Sequence, residues 1–223
     1  MESYFVKQPT PFYDQLYHAI KKMIIDGVYK PGERIVESKL AKEMNLSRTP
    51  IREAIRALEN EGLVVIDEKS RILVYTPTAK DVEDVYQCRM ALESLAVRLT
   101  IRRASDADIQ QLERTLNQVR TMIEQQAYPK DEVIELNSQF HNLIYQYSGN
   151  HLLQKHLNGL KSLLHLYRVL NFQGENRDWI IYNEHHEIYR WIKERDEEKA
   201  AEAMIQHLIH DYNHLIEVIQ TSG

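Results

Sequence analysis

Cysteine occurs once in the 223 residues, tryptophan twice and glycine seven times. The single cysteine, Cys88, excludes an intramolecular disulfide framework and any cysteine-rich zinc site. Its expected place is a small buried position on a helix, because a free thiol usually packs as a small hydrophobe. So little glycine argues against an enzyme built on glycine-rich phosphate loops, and neither G-x-G-x-x-G nor a Walker-type pattern occurs. G-x-S-x-G and H-E-x-x-H are missing as well. No apolar run approaches the roughly 20 residues of a membrane span, and the opening MESYFVKQ has no signal-peptide character. The expectation is a cytoplasmic protein with no membrane partner. What the chain has in quantity is histidine, ten residues. Any special chemistry therefore lies with the imidazoles.

The length suits one large domain or two small ones. Residues 1–76 carry 12 Lys+Arg against 11 Asp+Glu, whereas residues 77–223 carry 16 against 22. A near-neutral first segment joined to an acidic second one predicts two domains with different partners, over 1–77 and 78–223. In the first, FYDQLYHAIKKMIID predicts a helix with Phe12, Leu16, Ile20, Met23 and Ile24 on its apolar face, ended by Gly27. ESKLAKEM follows, with Asn45 suited to the left-handed position after it. LSRTPIREAIRALENEGL then has Ser47 as N-cap, Pro50 in the first turn and Gly62 at the end. The runs LVVID and RILVYTP, split by EKS, predict a β-hairpin. Three helices and a hairpin make a winged helix-turn-helix. Thr78 is a candidate N-cap for the next helix.

Beyond Asp81 the pattern is helical over about 79–103, 106–125, 130–148, 150–172, 177–194 and 197–220, with short connections. The predicted fold is mainly α: a winged helix-turn-helix followed by an antiparallel six-helix bundle.

On the third helix Ile51, Ile55 and Leu58 share one side, while Arg48, Thr49, Arg52 and Arg56 form a stripe on another. A recognition helix packs one face on its own domain and offers donor-bearing side chains to the major groove of double-stranded DNA. Arginine suits both guanine edges and phosphates. Glu53 and Glu59 interrupt the stripe, so a solvated charged face is the alternative.

The stretch ELNSQFHNLIYQY has Val133, Ile134, Phe140 and Ile144 on one helical face, with Asn137 and His141 on that same face, one turn apart. His185 lies about ten residues before the ERDE turn and His207 about ten after it. At about 1.5 Å per residue both fall at one level of an antiparallel helix pair. His185 shares its face with Ile181, Ile188 and Ile192, and His207 with Ala203, Met204, Leu208 and Leu215. Three imidazoles and one amide thus point inward, and helix bundles commonly hold metals on such side chains, zinc and nickel among those that imidazole suits. His18, His151, His156, His165, His186, His210 and His214 lack this convergence and are expected to be surface or structural. Arg89, in the R-x-x-L-E pattern, either faces the pocket or pairs with Glu93 four residues on. Tyr145, Tyr167 and Tyr189 are further candidates for lining the pocket.

The run GVYKPGERIVESKLAKEMNLSRTPIREAIRALENEGLV resembles the signature of GntR-type bacterial transcription regulators. The resemblance implies operator contacts at Arg48 and Arg52 and one at Ser38. It also implies a glycine at the wing tip, where this chain has DEKSRILV; Lys69 or Arg71 would serve there instead. CRMALE, NSQFH, EHHEIYRWI and AMIQHL resemble the ligand-sensing FCD domain of the FadR branch, in its shorter six-helix form. That resemblance implies metal ligands at Asn137, His141, His185 and His207 and a small carboxylate effector at the metal. Relatives often have aspartate at position 137. An amide leaves a divalent ion its full charge, which favours an anionic effector at some expense of metal affinity. Arg89 would then grip the effector carboxylate. The whole implies a homodimeric regulator reading an inverted repeat. The alternatives are a metal-dependent enzyme, which would need a general base that no inward carboxylate supplies, and a metal sensor with no organic effector.

Overall fold

Leu16, Ile20 and Ile24 recur at helical spacing and are buried, which fixes the inner face of α1 (Phe12–Ile25). The computed structural model describes residues 12–125 and 127–221, and the side chain of Phe12 lies outside the described residues. The chain divides into two compact units, one ending at Thr76 and the other beginning at Pro77.

In the first unit, β1 (Arg34–Ile35) leads into α2 (Glu37–Glu43), which buries Leu40. Asn45 takes the left-handed turn, φ 52°, before α3 (Arg48–Asn60). The latter buries Ile51, Ala54, Ile55 and Leu58 against α1 and α2. Ser47 occupies the N-cap position of α3 with extended backbone, but its side chain makes no cap hydrogen bond. β2 (Val64–Ile66) and β3 (Ile72–Val74) form the hairpin, with Val64 opposite Val74 and Ile66 opposite Ile72. The two-residue β1, too short for a sequence pattern, pairs with the other edge of β3.

The wing turn is made without glycine. Ser70 adopts φ 56°, and the Asp67 carboxylate accepts from the backbone N–H of Lys69 and Arg71 at 3.0 and 2.8 Å and from Arg71 Nε at 2.7 Å. Arg71 is thereby held to its own turn, while Lys69 is exposed.

The second unit is helical throughout its described residues: α4 (Ala79–Arg103), α5 (Asp106–Ile123), α6 (Lys130–Tyr147), α7 (His151–Gly159), α8 (Lys161–Asn171), α9 (Arg177–Lys193) and α10 (Glu197–Thr221). Thr78 closes a capping box with Asp81, and Ser105 does the same with Asp108. α10 packs along α4 and α9, and α6 fills the space between α4 and α5. The segment expected as one helix over 150–172 is interrupted at Leu160, φ −96° and ψ 0°, just after Gly159. With α7 and α8 taken as that one segment, six helical segments follow Thr78. The break lets α8 choose its own inner face, which carries Leu164, Tyr167, Arg168 and Asn171. Cys88, expected buried, is exposed on α4, because the apolar stripe of that helix runs through Val82, Tyr86, Ala96 and Val97 instead. Among the described residues no helix is long and apolar enough to cross a membrane.

Candidate metal centre and DNA-reading surface

The structure brings His141 of α6, His185 of α9 and His207 of α10 together, each about 1% exposed. His185 Nε2 lies 3.1 Å from His141 Nε2 and 3.2 Å from His207 Nε2. Imidazoles bound tetrahedrally at about 2.0–2.1 Å from one ion place their nitrogens about 3.3 Å apart. The observed spacing is already close to that of a ligand set. The α9–α10 hairpin produces it, since both histidines lie near the same level above the turn.

Two carboxylates set the tautomers. His141 Nδ1 is 2.7 Å from Glu93 Oε2, and His207 Nδ1 is 2.8 Å from Glu184 Oε2. An ionised carboxylate only accepts, so each Nδ1 carries the hydrogen and each Nε2 turns a lone pair to the centre. His185 can donate its one Nε2 hydrogen to a single neighbour. A cation resolves this crowding of acceptors, and the carboxylate–histidine pairs are the usual outer support of a metal site. Burial lowers the His141 pKa to about 4, outweighing the upward pull of Glu93, and drives His185 well below its ordinary value. Burial also pushes Glu93 up, but the Arg89 guanidinium and His141 outweigh it and keep the carboxylate ionised. The imidazoles of His141 and His185 are therefore in the neutral form that binds metal.

Asn137, one turn before His141, is 3% exposed, and neither its Oδ1 nor its Nδ2 has a hydrogen-bond partner. An orphaned buried amide oxygen is expensive unless something else takes it up. The donor chemistry of Asn137 and the three histidines fits a divalent transition metal. A second acidic group, Glu184, His207 and Asp211, adjoins the centre. Glu184 also meets His210 Nδ1 at 2.7 Å, and Asp211 accepts from Arg177 Nη2 at 3.0 Å through Oδ1 while its Oδ2 lies 3.7 Å from His207 Nε2. Of that group, Glu184 is the member that hydrogen-bonds imidazoles, those of His207 and His210.

Arg89 is fully buried and donates from Nε to Glu93 Oε1 at 2.7 Å, while its Nη2 has no partner. The expected pair with Glu93 is thus present. Tyr145 and Tyr167 are buried, and Tyr145 lies within the electrostatic reach of Glu93, Arg168 and Arg89. The sequence pattern named Glu93 only as a partner for Arg89, which it is, and did not single out Arg168, Asn171 or Asp211. A signal existed for Glu93: together with Arg89 it falls on the buried stripe of α4, the same irregularity that Asn137 and His141 make on α6.

In the first unit Ser38, Arg48, Thr49, Arg52 and Arg56 are all exposed. The α3 arginines lie opposite the buried Ile51, Ile55 and Leu58. Ser38 and Arg48 line a groove of about 260 Å³ that also includes Arg34 and Arg71. Arg52 is held by Glu37, Nε to Oε2 at 3.1 Å. Arg34, on the strand the sequence pattern did not reveal, adds a cation to the face that carries Ser38 and Arg48.

A winged helix-turn-helix with an exposed arginine stripe, on a chain whose second unit is a helical bundle with a buried polar centre, defines a DNA-binding regulator with a second, helical domain. Residues 12–74 match the bacterial regulatory proteins of the gntR family, and residues 84–210 match the FCD domain. The chain belongs to the GntR family of transcription regulators, in the group that carries an FCD domain, and it is a DNA-binding regulator, not an enzyme. It is 39% identical over 220 residues to the HTH-type transcriptional regulator YdhC of Bacillus subtilis, covering 99% of this chain and 98% of that one. It is 27% identical over 201 residues to the HTH-type transcriptional repressor RspR of Escherichia coli, covering 90% and 87%. In fold it is similar to McbR/YncC of E. coli, with a TM-score of 0.73 at 20% identity over 94% of this chain and 99% of that one.

Proposed function

We propose that this regulator controls operator affinity through a small carboxylate bound at a divalent transition metal, zinc or nickel, held by Asn137, His141, His185 and His207. The observation that carries the reading is the meeting of three Nε2 atoms at 3.1 and 3.2 Å, with two of the rings fixed by carboxylates from behind. The metal, when bound, supplies a positive centre that an anionic effector recognises. Arg89 contributes a second cationic donor through its unpartnered Nη2. Ser38, Arg48, Thr49, Arg52 and Arg56 would contact an inverted-repeat operator, read by a homodimer with residues 1–77 of each copy on one half-site and residues 78–223 sensing and dimerising. The name of the relative RspR supports repression as the mode. Effector binding changes operator affinity only by as much as it prefers one arrangement of the dimer over the other.

The test combines metal analysis with operator binding. Purified protein is expected to hold about one zinc or nickel per chain, lost in the His185→Ala variant. A carboxylate from a small panel is expected to shift a DNA fragment selected from a randomised pool only when metal is present. No metal uptake at micromolar zinc or nickel would falsify the reading. A response to metal alone would make the protein a metal sensor.

A further inference from the structure

Three arginines are buried in the helical unit: Arg89, Arg168 and Arg177. Two of them have carboxylate partners, Glu93 for Arg89 and Asp211 for Arg177. Arg168, on the inner face of α8, has none among the described residues. Its Nη1 donates to Ser138 Oγ at 3.3 Å, and its Nη2 has no partner. A guanidinium stays protonated at any ordinary pH, and a buried cation facing only a hydroxyl is costly. A protein keeps such a group where an anion is its intended partner.

Arg168 also belongs to the centre already described. Ser138 is the neighbour of Asn137 on α6, and the charges of Arg89 and Arg168 both act on Tyr86, Tyr145 and His185. Two guanidiniums, each with an orphaned Nη2, therefore lie close enough to the imidazole centre for their charges to act on His185. The fixed charges decide how much anion this interior takes. Arg89 cancels against Glu93 and Arg177 against Asp211; Arg168 is matched in sum only by Glu184 behind His207 and has no carboxylate partner of its own among the described residues, and a divalent ion then adds two positive charges. A single carboxylate neutralises only part of that.

We infer that the effector carries two acidic groups, one meeting the imidazole centre and the other, carboxylate or phosphate, held by Arg168. This rests on the reading that an anionic effector binds beside the metal, and it deepens that reading by naming the effector class and the residue that selects it.

Matched pairs of small acids test it on the full-length, zinc-loaded protein by calorimetry: propionate against succinate, and glycolate against 2-phosphoglycolate, with zinc content measured afterwards. A two-charge member is expected to bind about tenfold or more tightly than its partner, the worth of one charge-assisted contact; the pair that shows it tells carboxylate from phosphate. Arg168→Gln is expected to reduce that member to the level of its single-charge partner, and Arg168→Lys to keep part of the preference. Equal affinity within both pairs, or an Arg168→Gln protein that keeps the preference, overturns the inference and leaves the carboxylate reading standing. No binding of any of the four acids to protein with stoichiometric zinc overturns both.

Discussion

Ser38, Arg48, Thr49, Arg52 and Arg56 lie exposed in the first unit, whereas Arg89, Asn137, His141, His185 and His207 in the second are each no more than 3% exposed. Exposed charges are solvated whether or not they find a partner, so a DNA-reading face can be altered with little effect on folding. Buried ones must be satisfied from neighbouring helices, and each partner becomes a condition of the fold as well as of the site. Removing one member should therefore unbalance the second unit and barely disturb the first. Glu93 is the sharpest case, since it is fully buried and serves both Arg89 and His141. Glu93→Ala leaves a buried guanidinium without its counter-ion, for a loss of about 3–5 kcal/mol. A urea titration of the metal-free protein should show it. A loss below about 1 kcal/mol would remove the distinction between the two units.

Acid probes the same difference. The His141 imidazole takes up its proton at about pH 4 in the folded chain and at about pH 6.5 once unfolded. Between those values the unfolded state holds more protons, so stability falls as pH falls through this window. For His141 alone the decline is about 3 kcal/mol. His185, also lowered by burial, acts in the same direction, while Glu184, Glu93, Arg168 and His207 surround the pair. Chemical denaturation of metal-free protein at pH 7 and pH 4.5 should show most of this loss, and His141→Asn should reduce it. An unchanged midpoint would mean that these rings meet water in the folded state.

Periodicity made the exposed half legible almost residue by residue. The stripe on α3, the turns at Gly27, Asn45 and Gly62, and the hairpin strands all follow from local rules, whereas the two-residue β1, the Asp67-built wing turn and the missing cap hydrogen bond of Ser47 did not. In the helical unit the same rules found helices and inward histidines, because a polar residue on an apolar face is itself a pattern. They could not show which atoms meet. The contacts of Glu93 with His141 and of Arg168 with Ser138 join residues 48 and 30 positions apart. The Leu160 break, which sets the face that α8 buries, is marked locally by one glycine alone. Cys88 shows the converse: helix position alone does not decide burial when the stripe passes it by.

The smallest effect is expected on the exposed side. Arg52 is tied to Glu37 by an ion pair whose side chains are 57% and 23% exposed, a kind of contact worth about 0–1 kcal/mol. Glu37→Gln should leave the thermal midpoint almost unchanged. It should nevertheless raise operator affinity a few-fold at low salt, because Arg52 no longer has to leave a carboxylate to reach DNA and one repelling charge is gone. Arg52→Ala is the control, with an expected cost of about 1–3 kcal/mol in operator binding if its guanidinium meets a base edge. Both are measured by fluorescence anisotropy on the same selected DNA fragment across a salt series. An operator affinity that drops in Glu37→Gln would show that the pair orients Arg52 for binding, so that even on the exposed unit a charge would need its partner in place before it could work.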